Sequence, residues 1–239
     1  YLTMNYSYQA AIVRALGKFV EQGLVYKGKK PVHWCIHCRT ALAEAEVEYE
    51  NHASPSIYVE FPLADGSRAE LGSRVLKLSG VTQPISTLIW TTTPWTIPSN
   101  LALAFHPDAW YGFYQVGNVI TLGAEALAEQ VGHLIGRPFG PSLARVQGRS
   151  LEHLRFRHPL YNRDSLGVLG AYVTLDQGTG VVHTAPGHGS DDFNTGVQYG
   201  LDIYAPVGPG GHFDAEGELF GGQRVFDANP RIEEELAAR

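Results

Sequence analysis

Cysteine, lysine and long apolar runs are all scarce in this sequence. Among 239 residues there are two cysteines, Cys35 and Cys38. Two thiols three apart cannot staple a secreted disulfide-rich fold, and they suit a reducing cytosol. No stretch approaches the ~20 consecutive apolar residues of a membrane span. No charged-then-apolar leader opens the chain, so the expectation is a cytoplasmic protein without a membrane partner. Basic charge is short too: 18 Lys and Arg against 24 Asp and Glu leave a net charge of -6. That excludes a basic module gripping many phosphates, but not contact with a single 3′ nucleic-acid end. What is present, 44% hydrophobic and 18% charged residues, is a globular composition. The length suffices for one large domain, or one domain with an appendage, and needs no disulfides.

Both ends read as helix. Ile12, Val13, Leu16, Phe19 and Val20 recur at helical spacing within Tyr1 to Gln22, and Gly23 stops the pattern. Asp227 to Arg239 repeats it with Ile232 and Leu236 on one face, so the chain is expected to be a segment of a longer protein. Between the ends, Ile57 to Leu63, Arg74 to Leu78, Ser86 to Thr92, Trp110 to Val116, Val119 to Leu122, Leu143 to Gln147, Val168 to Leu175 and Gly180 to Thr184 read as strands. Glu44 to Glu50 alternates like a strand with one wet face, and Gly117-Asn118 reads as a hairpin turn. Ala124 to Ile135 and Asp191 to Tyr199 read as helices. The pattern predicts a mixed α/β fold: a closed or nearly closed, barrel-rich sheet with helices packed outside. The turn-rich stretch at residues 50–54 predicts a boundary, dividing the chain into 1–52 and 53–239.

Three stretches carry chemistry. Cys35-x-x-Cys38 has the bite of a zinc knuckle, but no second pair completes it, so it reads as half of a four-ligand site finished elsewhere. The run Trp90-Thr91-Thr92-Thr93-Pro94-Trp95-Thr96 gathers hydroxyls at a strand-to-helix junction, with Thr93 as N-cap and Pro94 in the first turn. Such a junction can hold an anion or a developing oxyanion, although capping alone explains this run at least as well. The third stretch runs from His183 at a strand end, through Gly187-His188-Gly189, to Asp191 and Asp192 in the first turn of a helix. Capping accounts for one aspartate and leaves the other, with His183, for general-base work, amine binding or metal ligation through His183, His188 and Asp192.

In combination these segments resemble isoleucyl-tRNA synthetase. Pro31 to Cys38 and Thr40 to Tyr49 look like the start of the insertion that interrupts its catalytic core. Trp90 to Thr96 and Gly178 to Phe193 look like the two signatures of its editing domain. Valyl and leucyl relatives usually carry Thr-Arg-Pro at the first signature, and no Arg stands there in this sequence. The synthetase's nucleotide-binding signatures are absent, so the resemblance implies an editing domain without amino-acid activation. Residues 1–52 would be the connecting segment, and 53–239 the editing domain with a C-terminal connecting helix.

The implied reaction is hydrolysis of valine wrongly esterified to isoleucine tRNA, with valyl-adenylate as a second possible substrate. The implied catalytic residues are Thr92, Thr93, His183 and Asp192. Asp192 would bind the α-ammonium, His183 would exclude isoleucine, and Thr92 and Thr93 would hold the ribose or the ester and help place the attacking water. Thr91, Trp95, Trp90, His188 and Asp191 would line the substrate site. The implied partners are the tRNA 3′ end and the synthetase core, and the implied state is a monomer. No cofactor is implied for editing, and zinc would bind Cys35 and Cys38 only with outside ligands. The competing expectations are a metal-dependent hydrolase and a non-catalytic module that binds the tRNA acceptor end.

Overall fold

The computed structural model describes residues 2–239, apart from the side chains of residues 216–218. The chain divides into two compact units, Tyr1–Lys30 and Pro31–Arg239. The first holds helix α1 (Tyr6–Glu21), which begins where Asn5 Oδ1 accepts the Ser7 N–H at 2.9 Å. It ends where Gly23 takes φ 71°, with Gly23 N–H on Val20 O and Leu24 N–H on Phe19 O, both at 3.0 Å. This is the paired C-terminal closure that favours glycine. The helix is shorter than the stretch from Tyr1 to Gln22 suggests: residues 2–5 form a turn that ends in the Asn5 cap, and Tyr1 lies outside the described residues. None of its residues is buried.

The second unit opens with a hairpin, β1 (His33–Cys35) and β2 (Thr40–Leu42), whose tip is the Cys-x-x-Cys turn. Trp34 Nε1 donates to Pro209 O at 2.9 Å, and Ile36 packs over Gly211. Next come β3 (Ile57–Pro62), helix α2 (Asp65–Arg74), β4 (Ile85–Thr91), β5 (Ala102–Phe105), β6 (Trp110–Val116), β7 (Val119–Ala124) and helix α3 (Ala128–Leu134). The remainder is β8 (Ser142–Gln147), β9 (Arg155–Arg157), β10 (Asp164–Leu169), β11 (Val181–Thr184), helix α4 (Ser190–Gln198) and helix α5 (Val225–Ala237).

The mixed α/β expectation holds, but the closed barrel does not. Among the described residues the strands form one five-stranded sheet, ordered β3-β4-β7-β6-β8, and one four-stranded sheet, ordered β11-β5-β10-β9. Each contains a single parallel pair, β4 with β7 and β5 with β10. The sheets join at a corner, where Leu63 bridges to Phe156 and Ala64 N–H donates to Arg155 O at 2.8 Å. Their inner faces share one core in which Phe61, Ile89, Leu103, Phe105, Phe113 and Phe156 are fully buried. Tyr111 crosses that core, accepting from His106 N–H at 2.9 Å and donating to Gly180 O at 2.7 Å. Burial raises the pKa of its phenol, keeping it a donor.

Several expected elements differ. Glu44 to Glu50 is not a strand: Ala43 N–H donates to the Glu46 carboxylate at 2.7 Å, winding Glu44–Glu46 into a 3₁₀ turn with no partner strand. Arg74 to Leu78 is the end of α2 and a second 3₁₀ turn. Helix α2 went unread because only Ser67 and Leu71 are buried in it, which is too little for an apolar stripe. Side chains anchor it instead: Arg68 donates to Val81 O and Gln83 O, and Arg74 to Ser150 O and Glu152 O. Strand β10 ends at Leu169 rather than running to Leu175, because the chain turns at Gly170, whose N–H meets Phe105 O at 2.9 Å. Leu127, which caps α3, and Val131 within it are buried as read, whereas Leu134 faces solvent. Phe105→Ala, which empties a site between the Tyr111 and Phe156 rings, should lower the unfolding free energy by about 3–5 kcal/mol in urea titrations.

Candidate functional site

The site forms where the two sheets bring their strand ends together. Strand β4 delivers Thr91, a 3₁₀ turn at Pro94–Ser99 follows, and Asn100 leads into β5. Strand β11 runs antiparallel to β5, pairing His183 with Leu103 and Thr184 with Ala102. This register places the His183 ring against the turn: Nε2 lies 2.9 Å from Thr96 Oγ1, and Nδ1 lies 3.3 Å from Asn100 Nδ2. The hydrogen bonds determine the tautomer. Asn100 Oδ1 accepts from Ser165 Oγ at 2.6 Å and its Nδ2 donates to Ala102 O at 2.9 Å, so the amide presents Nδ2 to His183. Nδ1 therefore accepts, and Nε2 carries the proton to Thr96 Oγ1, which donates onward to Thr93 O at 2.8 Å. Enclosure, and secondarily the nearby His188, lowers the His183 pKa to about 4, so the ring is neutral at physiological pH.

The threonines divide by exposure. Thr91 is buried, and its Oγ1 accepts the Thr93 N–H at 3.1 Å and lies 3.2 Å from Thr93 Oγ1. Thr92 and Thr93 are exposed at the rim. Thr93 occupies the N-cap position and Pro94 the first turn, as read, but the Thr93 side chain caps nothing. Arg163 holds the turn from behind, donating to Pro98 O and to Asn100 O while its guanidinium lies between the Tyr161 and Tyr204 rings.

The third expected stretch closes the other wall. Helix α4 begins after Gly189, and neither Ser190 nor Asp191 caps it by side chain. Asp192 Oδ1 instead reaches back to accept the Ala185 N–H at 2.8 Å. The loop between them depends on glycine: a Cβ on Gly189 would lie 2.2 Å from Asp192 Oδ2, and one on Gly187 would lie 2.5 Å from Tyr204 O. Burial raises the Asp192 pKa, with the Ala185 N–H pulling the other way. His188 stands edge-on to Trp95 at 5.3 Å, its Nε2 buried without a partner, and burial lowers its pKa to about 4.

Not every expected residue joins this cluster. Trp90 donates to Ser56 Oγ at 2.7 Å and packs on Gly178, on the face of β4 opposite Thr91. Asp191 is exposed. Cys35 and Cys38 sit at the β1–β2 tip, where Cys38 N–H approaches Cys35 Sγ at 3.3 Å and, with the His37 N–H, lowers the Cys35 pKa. Two thiols fit half of a tetrahedral zinc set. Among the described residues no three His, Cys, Asp or Glu side chains converge on one point, so His183, His188 and Asp192 do not form a ligand triad. Thr96 and Asn100, which hold His183, carried no role in the sequence reading. The signal available was their spacing from Thr93 around a proline-started turn.

The amino-acid sequence over residues 1–215 matches the model of the class I tRNA synthetases for I, L, M and V. The chain belongs to that family. It is 49% identical over 236 residues to the isoleucine–tRNA ligase of Geobacter sulfurreducens and 47% identical over 236 residues to that of Haemophilus influenzae, strain 86-028NP. Each match covers 99% of this chain and 25% of the relative, so the chain spans a quarter of those proteins. Its fold is that of synthetase editing domains. The crystal structure of GlLeuRS-CP1 superposes with a TM-score of 0.61 at 16% identity, over 77% of this chain and 96% of that one. The P. knowlesi cytosolic leucyl-tRNA synthetase editing domain gives 0.54 at 12%, over 80% and 97%.

Three enclosed histidines predict a stability that falls in acid. His158, which donates to Ile97 O at 2.9 Å, is lowered to about 3, mainly by burial, beside His183 and His188 at about 4. The unfolded chain protonates these rings near pH 6.5 while the native one keeps them neutral. Their contribution is therefore complete above about pH 6.5 and is lost as the pH falls toward 4. Asp192, raised by burial, has the opposite sign and offsets part of that loss. Urea titrations between about pH 6 and 4.5 should show unfolding coupled to uptake of about two to three protons. A midpoint independent of pH across that window would contradict the assignment.

Proposed function

We propose that this segment is the editing domain of an isoleucine-specific synthetase and hydrolyses valine wrongly esterified to the 3′ adenosine of isoleucine tRNA. The observation that carries this reading is the locking of His183 at both ring nitrogens, by Asn100 and Thr96. Valine and isoleucine differ by one methylene, and its burial is worth only ~1–3 kcal/mol, a magnitude known from this enzyme family itself. A first site that binds isoleucine cannot reject valine strongly, so a second and smaller site must remove it. A size filter needs a wall that does not yield, and a ring fixed from both sides supplies one. With Nδ1 accepting and Nε2 donating inside the protein, His183 has no free nitrogen with which to take a proton from water. It acts by shape.

The remaining roles follow from position. Asp192 faces the site as a carboxylate fixed by the Ala185 N–H, suited to pairing with the α-ammonium of the misplaced amino acid, whose charge favours the ionised form. Thr92 and Thr93, exposed at the rim, present hydroxyls to the ester and the attacking water. Thr91 and Trp95 form the wall for the terminal adenosine. An aminoacyl ester is already activated, so an oriented water and a few fixed donors suffice. The water adds to the ester carbonyl, the ribose hydroxyl leaves, and free valine and intact tRNA result. Valyl-adenylate presents the same ammonium and side chain and would enter the same pocket. The partners are the tRNA 3′ end and the synthetase core, with the segment acting as a monomer in the cytoplasm. Zinc takes no part in this chemistry: Cys35 and Cys38 would supply two ligands of a structural site whose other two come from outside the segment.

Deacylation of valyl- and isoleucyl-charged isoleucine tRNA tests the reading. The chain should cleave only the valyl ester, with or without chelator. Asp192→Ala should retain its fold and lose at least about 100-fold in kcat/KM, the cost of stripping a paired charge of its partner. His183→Ala should begin to cleave the isoleucyl ester. Activity surviving in folded Asp192→Ala would refute the ammonium role, and unchanged selectivity in His183→Ala would refute the filter.

A further inference from the structure

A row of rings leads out of the site toward solvent. His188 stands 5.3 Å from Trp95, Trp95 stands 6.4 Å from Phe226, and Phe226 stands 6.4 Å from His52. Phe226 lies in the first turn of α5, whose Val225, Ala228 and Ile232 are buried. Phe226 itself is 48% exposed, a large apolar ring left half in water. The Arg224 guanidinium lies 5.8 Å from its centroid and has no carboxylate partner among the described residues. The helix is tied to the site through Asn229, whose Oδ1 accepts the Trp95 N–H at 3.0 Å. Phe226 and Asn229 are three apart and share a helix face, so the tie fixes the exposed ring relative to Trp95.

We propose that Phe226, flanked by Arg224 and His52, is the stacking platform for the nucleotide preceding the terminal adenosine of a single-stranded 3′ end. The inference rests on the reading of Trp95 as the wall of the adenosine site. Three observations converge on a nucleobase. The platform is continuous with that wall, one ring further out. It offers an exposed aromatic face, which takes any base because every base has a π-face. It also carries, beside the ring, a guanidinium with no carboxylate partner among the described residues, free to pair with a backbone phosphate, in a chain whose net charge is -6. A protein partner would gain nothing specific from an isolated cation beside one ring, whereas a base followed by a phosphate matches both groups.

The test is binding, so that it stands apart from hydrolysis. An oligonucleotide ending in CCA is titrated into the protein by tryptophan fluorescence, alongside adenosine monophosphate alone. Phe226→Leu, which keeps apolar cover over Trp95, should weaken oligonucleotide binding roughly tenfold and leave binding of the mononucleotide unchanged. Phe226→Trp should retain wild-type affinity. Arg224→Gln should weaken the oligonucleotide and flatten its salt dependence by about one phosphate contact. Equal oligonucleotide affinity in wild type and Phe226→Leu would overturn the platform, as would parallel losses for both ligands, which would mean that Phe226 merely supports Trp95. Failure of valyl ester cleavage with these binding differences intact would instead overturn the hydrolytic reading alone.

Discussion

The hydrogen bonds around one neutral imidazole organise this site. His183 is held by an amide on one side and a hydroxyl on the other, and both holders belong to the segment joining β4 to β5. Asn100 is oriented in turn by Ser165 on β10 and by the Ala102 carbonyl. Three strands of the four-stranded sheet therefore contribute to the placement of one ring. Protonating that ring would leave Asn100 Nδ2 facing a donor, which is why a low pKa and a fixed geometry belong together. The same arrangement separates two tasks that histidines often combine: a ring with both nitrogens occupied can set a boundary but cannot shuttle protons.

Around that ring the chain uses glycine and backbone more than charge. The 185–189 loop passes so near Asp192 and Tyr204 that Cβ atoms at Gly187 and Gly189 would collide with them. Arg163 fastens the opposite strap through carbonyl oxygens, where a carboxylate would have brought a competing negative charge close to the site. Asp192 thus stands as the enclosed carboxylate on this wall, with Asp191 turned to solvent. A carboxylate in a partly dry setting interacts more strongly with an opposite charge than exposed ones do.

Much of this was readable in the sequence where local chemistry decides structure. The strand ending at Thr91, the proline-started turn after it, and the strand–glycine loop–helix from Val181 to Gln198 all stood in the residues, as did the stop at Gly23. The parts that were missed depend on tertiary partners. Helix α2 has almost no apolar stripe and is held by arginines reaching distant carbonyls. Glu44 to Glu50 alternates correctly for a strand but finds no edge to pair with. The division into two sheets rather than a barrel turns on which strands pair across the sheet edges, and a period of two carries no sign of that. Thr96 and Asn100 escaped attention because their function is defined only by a residue more than eighty positions away.

That separation has a kinetic side. Both parallel pairs, β4 with β7 and β5 with β10, join strands with much intervening chain, and β11 pairs with β5 across a longer stretch still. Contacts of this kind close large loops and form late. The contact between Thr96 and His183, 87 positions apart, cannot precede the docking of β11 on β5. During synthesis the hydroxyl strap emerges well before the imidazole that completes it. The strap and the ring it holds therefore meet only once β11 has docked, so the locked imidazole is a property of the completed sheet and of no earlier segment.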